Sequence, residues 1–244
     1  MIEVTHDARI ATLWLARGAA RNALSTAHWR DLAAALAALA RSDARAVVVT
    51  SREPGIFSAG ADIAEFTDLQ RSPTHATAFR EALSDAIESA ATLPMPVIAA
   101  VDGGCFGAAV ALILACDIVV AGDAARFAVP PARLGILYPP TDVTRLTAAI
   151  GRGHAARLLF TGDAITADEA QAIGLTHHRT AEALTFALDL ATRIAANAPQ
   201  AVRGLKRILD AEPGGKARFD AAFAGPELRE GLAAFQSRRP PEFP

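Results

Sequence analysis

Three short apolar runs constrain the fold most, because each is rich in β-branched residues and bounded by turn residues. They read ARAVVVTS (44–51), PVIAAV (96–101) and DIVVAG (117–122). Runs of this kind are typical of strands that are buried on both faces. A helical pattern at about 75–91 separates the first two runs, and GCFGAAVALILAC separates the last two. This alternation predicts an α/β fold.

The segments before these runs predict a hairpin and a helix. VTHDARIATLWLA has two apolar stretches separated by a turn-like break at His6-Asp7-Ala8, which indicates an antiparallel hairpin. The next segment predicts a helix capped by Thr26. Four residues at three- and four-residue spacing give it one apolar face: Trp29, Leu32, Leu36 and Leu39.

Beyond about residue 139 the strand pattern fades and helical patterns follow one another. TRLTAAIG and GHAARLLF predict two short helices, and TADEAQAIG predicts a third, with Thr166 and Glu169 forming a capping box. A last helix is expected from Lys216 towards Arg238. We therefore expect two parts, an α/β core over 1–195 and a helical C-terminal segment over 196–244.

Composition excludes several classes of protein. The 244 residues are 52% hydrophobic, yet no apolar run reaches the roughly 18 residues that a membrane helix needs. A net charge of −2 argues against bulk attraction to nucleic acid or to an anionic membrane. The N-terminus lacks the basic and apolar regions of a signal peptide, which predicts a cytoplasmic protein. Cys105 and Cys116 form no CxxC motif and are expected to be small buried residues, and the scattered histidines predict no metal site.

Two strand-to-helix turns carry the strongest chemical signal. FSAGADIAEF and GCFGAAV each place glycine where a strand gives way to a helix, and backbone N–H groups at helix starts lack intrahelical partners. One such turn is ordinary connection chemistry, whereas two that face each other can hold one oxyanion. A nucleophile elbow at Ser58 fails because Ile56 stands where glycine is required, and no dinucleotide or phosphate-loop motif occurs.

The order of four segments resembles the enoyl-CoA hydratase/isomerase family, the crotonase superfamily. These segments are FSAGADIAEF, PVIAAVDGGCFGAAVALILACDIVVA, ARFAVPPARLGILYPPTDVTRLTAAIG and LLFTGDAITADEAQAIGL. The resemblance implies a crotonase-like spiral of β-β-α units with a helical C-terminal trimerisation segment, assembled as a homotrimer or a hexamer of two trimers. It implies an acyl-CoA thioester as substrate, with coenzyme A entering as part of that substrate and no permanently bound cofactor.

The resemblance also implies site residues. The two N–H donors to the thioester oxyanion would be those of Ala61 and Ala108. Arg21 would neutralise phosphate charge, although a plain surface arginine is an equal alternative, and Phe235 and Arg238 resemble positions that reach coenzyme A. The remaining coenzyme A contacts would come from Ala20, Ser58, Ala59, Asp62 and Ile63.

The carboxylates that family members use are missing from their usual positions. Ala111 and Pro131 stand where hydratases have two glutamates, and Pro139 stands where some relatives have an aspartate. Because each general acid or base contributes about 10² to 10⁴ in rate, the resemblance implies a poor hydratase. A tyrosine occupies the place of Tyr138 in a decarboxylase of the superfamily, and Asp142 is a second candidate. The alternatives are that Tyr138 packs with its hydroxyl in water and that Asp142 caps a helix.

Two hypotheses follow from these residues. The first is an acyl-CoA enzyme that stabilises a thioester enolate, with decarboxylation or isomerisation through Tyr138 or Asp142 as the alternative to hydration. The second is a non-catalytic oligomer that binds acyl-CoA. A purely structural subunit, which would bind no acyl-CoA, is a third possibility.

Overall fold

Two sheets organise the structure, a computed structural model that describes residues 1–243. The larger sheet contains β1 (Ile2–Asp7), β2 (Ile10–Leu15), β3 (Ala46–Ser51), β5 (Val97–Val101), β7 (Ile118–Gly122) and β10 (His178–Thr180), in the order β1-β2-β3-β5-β7-β10. The smaller sheet contains β4 (Ile56–Ser58), β6 (Gly104–Phe106), β8 (Arg126–Ala128) and β9 (Ile165–Thr166), in the order β4-β6-β8-β9. All pairings are parallel except the β1–β2 hairpin and β8–β9.

Ten α-helices complete the described part of the chain. They are α1 (Thr26–Leu39), α2 (Phe66–Arg71), α3 (Pro73–Ala91), α4 (Ala108–Leu114), α5 (Pro140–Thr161), α6 (Ala167–Ala172), α7 (Ala183–Ala195), α8 (Pro199–Leu209), α9 (Gly215–Ala222) and α10 (Pro226–Ser237). Three successive units place one strand in the larger sheet, the next in the smaller sheet, and then a helical stretch: β3-β4-α2-α3, β5-β6-α4 and β7-β8-α5. The predicted α/β fold with repeated β-β-α units is therefore confirmed.

The β-branched runs are buried on both faces of the larger sheet, as their pattern predicts. Val47 and Val49 point into the main core, which lies between this sheet and the helices α1, α3 and α4. Val48 and Ala46 point to the opposite face, where they pack against the small residues of α7. The predicted apolar face of α1 is fully buried in the main core. No helix in residues 1–243 is long and apolar enough to cross a membrane.

Some boundaries differ from those predicted. Ser25, not Thr26, caps α1, since its hydroxyl accepts the His28 N–H and Thr26 is already helical. The two helices expected after residue 139 are one helix, α5, kinked at Gly151, where the backbone has φ +74°. The last helix is two helices, α9 and α10, because the chain turns at Gly225 and Pro226 begins α10. The very short strands β9 and β10 were not predicted.

Side-chain bonds explain two further features of the C-terminal half. Thr166 caps α6 as predicted, but the Glu169 carboxylate pairs with Arg157, so the capping-box partner serves another helix. Lys206 on α8 is buried, and its ammonium lies 2.7 Å from Asp117 Oδ2. Asp117 Oδ2 also accepts the Val97 N–H, so this ion pair fixes α8 to the larger sheet. Residue 195 ends α7 and Pro199 begins α8, so the predicted part boundary falls in their connection.

Candidate active site

The first glycine turn is held by the segment that precedes α1. Leu24 N–H donates to Gly60 O at 2.7 Å, and Leu24 O accepts from Asp62 N–H at 2.9 Å. These two bonds form an isolated parallel bridge between Leu24 and Ala61. Because backbone groups alternate in direction along an extended chain, the N–H of Ala61 points away from Leu24. Ala61 is therefore left with an outward-pointing donor.

Asn22 connects this turn to the rest of the fold. It is fully buried, and its side chain accepts the Arg17 N–H at 2.6 Å and donates to Ser51 Oγ at 2.7 Å and to Phe57 O at 3.0 Å. Its main-chain carbonyl accepts the Ser58 hydroxyl at 2.6 Å, and that hydroxyl accepts the Gly60 N–H at 3.0 Å. Asn22 thus fixes the backbone that leads into Ala61.

The second turn begins α4 and lies against the first. Gly107 has φ +55° and ψ −122°, a conformation open to glycine, and Ala108 is the first helical residue. The Ala108 N–H therefore has no acceptor within its own helix. A Cβ built on Gly60 would lie 2.9 Å from Ala108 N and 2.4 Å from Phe106 O. The structure thus brings together the two turns that contain Ala61 and Ala108.

Tyr138 contacts the second turn from the loop before α5. Its side chain is buried, and its hydroxyl donates to Gly107 O at 3.1 Å. The expectation of a tyrosine with its hydroxyl in water is therefore wrong. Burial, followed by the charge of Asp142, raises the pKa of the Tyr138 hydroxyl well above its usual range, so the group is neutral and keeps its proton.

Asp142 lies next to Tyr138 in the first turn of α5 and is the one buried carboxylate in residues 1–243. It does not cap the helix, because Pro139 occupies the N-cap and no side chain caps there. Arg145 Nη1 approaches Asp142 Oδ1 at 3.5 Å, while Arg145 Nη2 lies 2.8 Å from both carboxylate oxygens of Glu88 on α3. Burial raises the pKa of Asp142 to about 6, although Arg145 opposes the shift.

The residues expected to contact coenzyme A have different environments. Arg21 is exposed and has φ +53°, and Ile63 is exposed beyond the first turn, while Ala20 lies in a short 3₁₀ turn. Asp62 Oδ2 binds Arg17 Nη1 at 2.6 Å, and this hydrogen bond lowers the pKa of Asp62. Ser58 is buried with its hydroxyl bonded to Asn22, so its side chain serves the fold. The N–H of Ala59 donates to Arg21 O at 3.0 Å.

The three positions where the resemblance implies carboxylates carry side chains that are neither acids nor bases. Ala111 and Pro131 are buried, and Pro139 precedes α5. Glu65, which follows the first turn, accepts the Thr26 N–H at 2.8 Å and therefore supports the start of α1. Cys105 and Cys116 are free and buried, as expected. Within residues 1–243 no group of three or more metal-ligating side chains is found.

Three residues of this region were missed at the level of sequence. Asn22 falls in the segment NALS, but its contacts reach residues far along the chain, so spacing gave no signal. Arg145 and Glu88 lie on different helices and pair only in the folded protein. The residue type itself was the one available signal, because asparagine is among the residues that tolerate a positive φ. In the structure Asn22 has φ +54°.

Comparison with known proteins supplies an independent result. The sequence profile described as enoyl-CoA hydratase/isomerase matches residues 5–244. The chain is 33% identical to the 2,3-dehydroadipyl-CoA hydratase of Escherichia coli, over 98% of this chain and 97% of that protein. It is 34% identical to the mitochondrial methylglutaconyl-CoA hydratase of Mus musculus, over 96% of this chain and 79% of that protein. A crystal structure from Hyphomonas neptunium superposes with a TM-score of 0.95 at 34% identity, covering 100% of this chain and 97% of that one.

Proposed function

Because the chain belongs to the enoyl-CoA hydratase/isomerase family, we propose that it is an enzyme that binds an acyl-CoA thioester and stabilises the enolate of that thioester with the N–H groups of Ala61 and Ala108. The single observation that carries this proposal is the contact between the two turns at Gly60 and Ala108. Backbone donors aimed at a developing oxyanion are worth on the order of 10² to 10³ in rate each.

The proposed chemistry begins when the thioester carbonyl oxygen accepts both N–H groups. Loss of a proton or of carbon dioxide from the α-carbon then leaves an electron pair, which becomes the enolate and places negative charge on that oxygen. Coenzyme A takes part as the thiol portion of the substrate, and the proposal needs no resident cofactor. Arg21, exposed before the NAL segment, and Ile63, exposed beyond the first turn, are proposed to contact the coenzyme A portion together with the backbone of Ala20, Ala59 and Asp62.

Hydration needs more than this oxyanion site. A base must activate water and an acid must protonate the α-carbon, and the neutral Ala111 and Pro131 supply neither. The curated relatives named above are hydratases, and their names favour hydration for this chain. The residues favour a reaction that uses the oxyanion site with fewer acid and base groups than hydration needs.

Isomerisation or decarboxylation is the second candidate, and Asp142 is the observation that favours it. A buried carboxylate with a pKa of about 6 can hold or release a proton near neutral pH. In isomerisation it would take the α-proton and return it to the γ-carbon. In decarboxylation the α-carboxylate leaves as carbon dioxide, and the enolate takes up one proton.

The test is turnover of crotonyl-CoA by the purified protein, with the absorbance of the conjugated thioester followed and the product identified by mass. The panel is completed by the substrates in the relatives' names, 2,3-dehydroadipyl-CoA and methylglutaconyl-CoA, by an α-carboxylated acyl-CoA for decarboxylation and by a 3-enoyl-CoA for isomerisation. Binding is titrated in parallel by calorimetry. Turnover of any member supports the enzyme, saturable binding without turnover supports a binding-only oligomer, and absence of binding contradicts the proposal.

We further propose that the protein assembles as a homotrimer or as a hexamer of two trimers. Large apolar side chains are exposed along the three C-terminal helices, and Leu209 is 85% exposed and Phe235 82%. Contiguous exposed apolar surface is typical of association sites. The other exposed members are Leu205, Ile208, Phe219, Phe223, Leu228 and Leu232. Sedimentation equilibrium of the purified protein gives the assembly mass, and a monomer at micromolar concentration would contradict this proposal.

A further inference from the structure

We propose that Tyr138 is a positioning residue that holds the peptide group between Gly107 and Ala108 and strengthens the Ala108 N–H as a donor to the thioester oxyanion. This inference rests on the proposed function, because it assigns a task to Tyr138 only if Ala108 contacts the substrate carbonyl. It gives Tyr138 no proton-transfer step.

The geometry of one peptide group carries the inference. The carbonyl of Gly107 and the N–H of Ala108 belong to the same planar unit and point in opposite directions in a trans peptide. The Tyr138 hydroxyl donates to that carbonyl at 3.1 Å, and the Val110 N–H donates to it at 2.9 Å. Fixing the carbonyl therefore fixes the direction of the Ala108 N–H.

The backbone of Gly107 needs hydrogen bonds to hold it in one conformation. Glycine has the widest choice of backbone angles, and Gly107 adopts φ +55° and ψ −122° at the start of a helix that no side chain caps. The Gly107 N–H donates to Ala128 O at 2.9 Å and fixes one side of the residue. Tyr138 acts on the other side, at the peptide that leads into Ala108.

Polarisation adds to positioning. A hydrogen bond to an amide carbonyl draws electron density towards the oxygen and makes the N–H of the same amide a better donor, an effect that is largest where water is excluded. Tyr138 is only 9% exposed. Its single hydroxyl proton is directed at Gly107 O, so it is not directed at a substrate.

The experiment uses a spectroscopic probe, para-dimethylaminocinnamoyl-CoA, bound to the full-length protein. Hydrogen bonds to the carbonyl of this conjugated thioester stabilise its charge-separated excited state and move its absorption maximum to longer wavelength. We expect a red shift with the unmodified protein and a smaller red shift with Tyr138→Phe, while the affinity for free coenzyme A stays unchanged. Turnover of the best substrate should fall about tenfold, less than the roughly 10² to 10³ that loss of a whole donor costs.

A second measurement keeps the test decisive if the phenylalanine variant does not fold. Tyr138 is the only tyrosine in the chain, so biosynthetic incorporation of meta-fluorotyrosine labels this site alone. Fluorine makes the phenol a stronger donor with little change in size, and the red shift should increase. Thr50→Val is the matched control, because Thr50 is a buried hydroxyl that donates to Ala100 O, outside both turns.

The outcomes separate this inference from the proposed function. If the unmodified protein binds the probe without a red shift, the oxyanion site itself is wrong. If the unmodified protein shifts the probe and both tyrosine replacements leave the shift unchanged, the oxyanion site stands and the role of Tyr138 is overturned. A shift reduced equally by Thr50→Val would also overturn that role, because the loss would then follow from any buried hydroxyl.

Discussion

The main-chain nitrogen of Ala108 lies 2.9 Å from the position that a Cβ on Gly60 would occupy. Residue 60 also has φ +87°, so both its neighbours and its backbone angles require glycine. The close contact between the two turns of the candidate site therefore requires that residue 60 has no side chain.

Replacing Gly60 with alanine should disrupt the candidate site. The added methyl group would lie 2.4 Å from Phe106 O, and strain at a positive φ costs about 1 to 3 kcal/mol in addition. We expect Gly60→Ala to lower the free energy of unfolding and to remove most thioester turnover, measured by urea denaturation and by the panel assay. Gly231→Ala, in open space on α10, is the control and should be neutral or stabilising by up to about 1 kcal/mol. Equal behaviour of the two variants would contradict the contact.

Replacing Asn22 with alanine should destabilise the first turn. The change removes three side-chain hydrogen bonds, including those to the half-buried Arg17 N–H and to the buried Phe57 carbonyl. We expect a loss of at least about 2 kcal/mol in the free energy of unfolding and a reduced red shift of the bound probe. Asn197, whose amide donates to Arg193 O at an exposed helix end, is the matched control. Asn197→Ala should change stability by less than about 0.5 kcal/mol.

Asp142 should make stability depend on pH in the acid range. Its pKa is about 6 in the folded protein against 3.8 for an ordinary aspartate, so the folded state binds the proton more tightly than the unfolded state. The free energy of unfolding should therefore fall as pH rises from about 3.8 to about 6, with the loss complete above that range. Glu88, Arg145 and Tyr138 face this group from α3, α5 and the preceding loop. Asp142→Asn should flatten this part of the curve in urea titrations at several pH values, and an unchanged slope would contradict the assignment.

Lys206 should be essential for the attachment of α8. The Lys206 ammonium is buried and donates to Asp117 Oδ2 at 2.7 Å and to Met95 O at 3.3 Å, whereas Asp117 is open to water. Because loss of hydrogen bonds from a charged group costs about 1.5 to 3 kcal/mol, we expect Lys206→Ala to lower the free energy of unfolding by that amount. Lys216 is the only other lysine and is exposed, so Lys216→Ala is the matched control. Acetic anhydride should modify Lys216 in the native protein and reach Lys206 only after unfolding.

The sequence predicts the parts of the fold that depend on short-range patterns. The buried β-branched strands and the apolar face of α1 follow directly from residue spacing. A strand buried on both faces is a continuous apolar run, and a helix buried on one face has apolar residues at three- and four-residue spacing. Ser25 and Thr26 both carry a hydroxyl that can cap a helix, and the sequence predicted the cap of α1 one residue too late. Strand β9 has only two residues, too few to show any pattern.

The candidate site is less visible in sequence because its parts meet only through tertiary structure. The glycine turns at 60 and 107 could be identified, but their contact depends on the parallel pairing of β4 with β6, the two strands that precede them in the smaller sheet. The hydrogen-bond partner of Tyr138 lies 31 residues away at Gly107. Arg145, which approaches Asp142, is itself held by Glu88 on a different helix. The sequence offered both residues as catalytic candidates, with a hydroxyl in water and a helix cap as the alternatives, and the structure contradicts these two alternatives, which were drawn from local neighbours alone.

The two candidate donors, the N–H groups of Ala61 and Ala108, belong to the main chain, so amino-acid substitutions affect them differently from a catalytic side chain. An amide N–H is present whatever side chain its residue carries, so exchange of the side chains around the turns leaves the donors in place. Asn22 and Tyr138, whose hydrogen bonds connect to the two turns, are both buried. Under the proposed function, substitutions elsewhere around the site can therefore change which proton moves and which bond breaks while both main-chain donors remain.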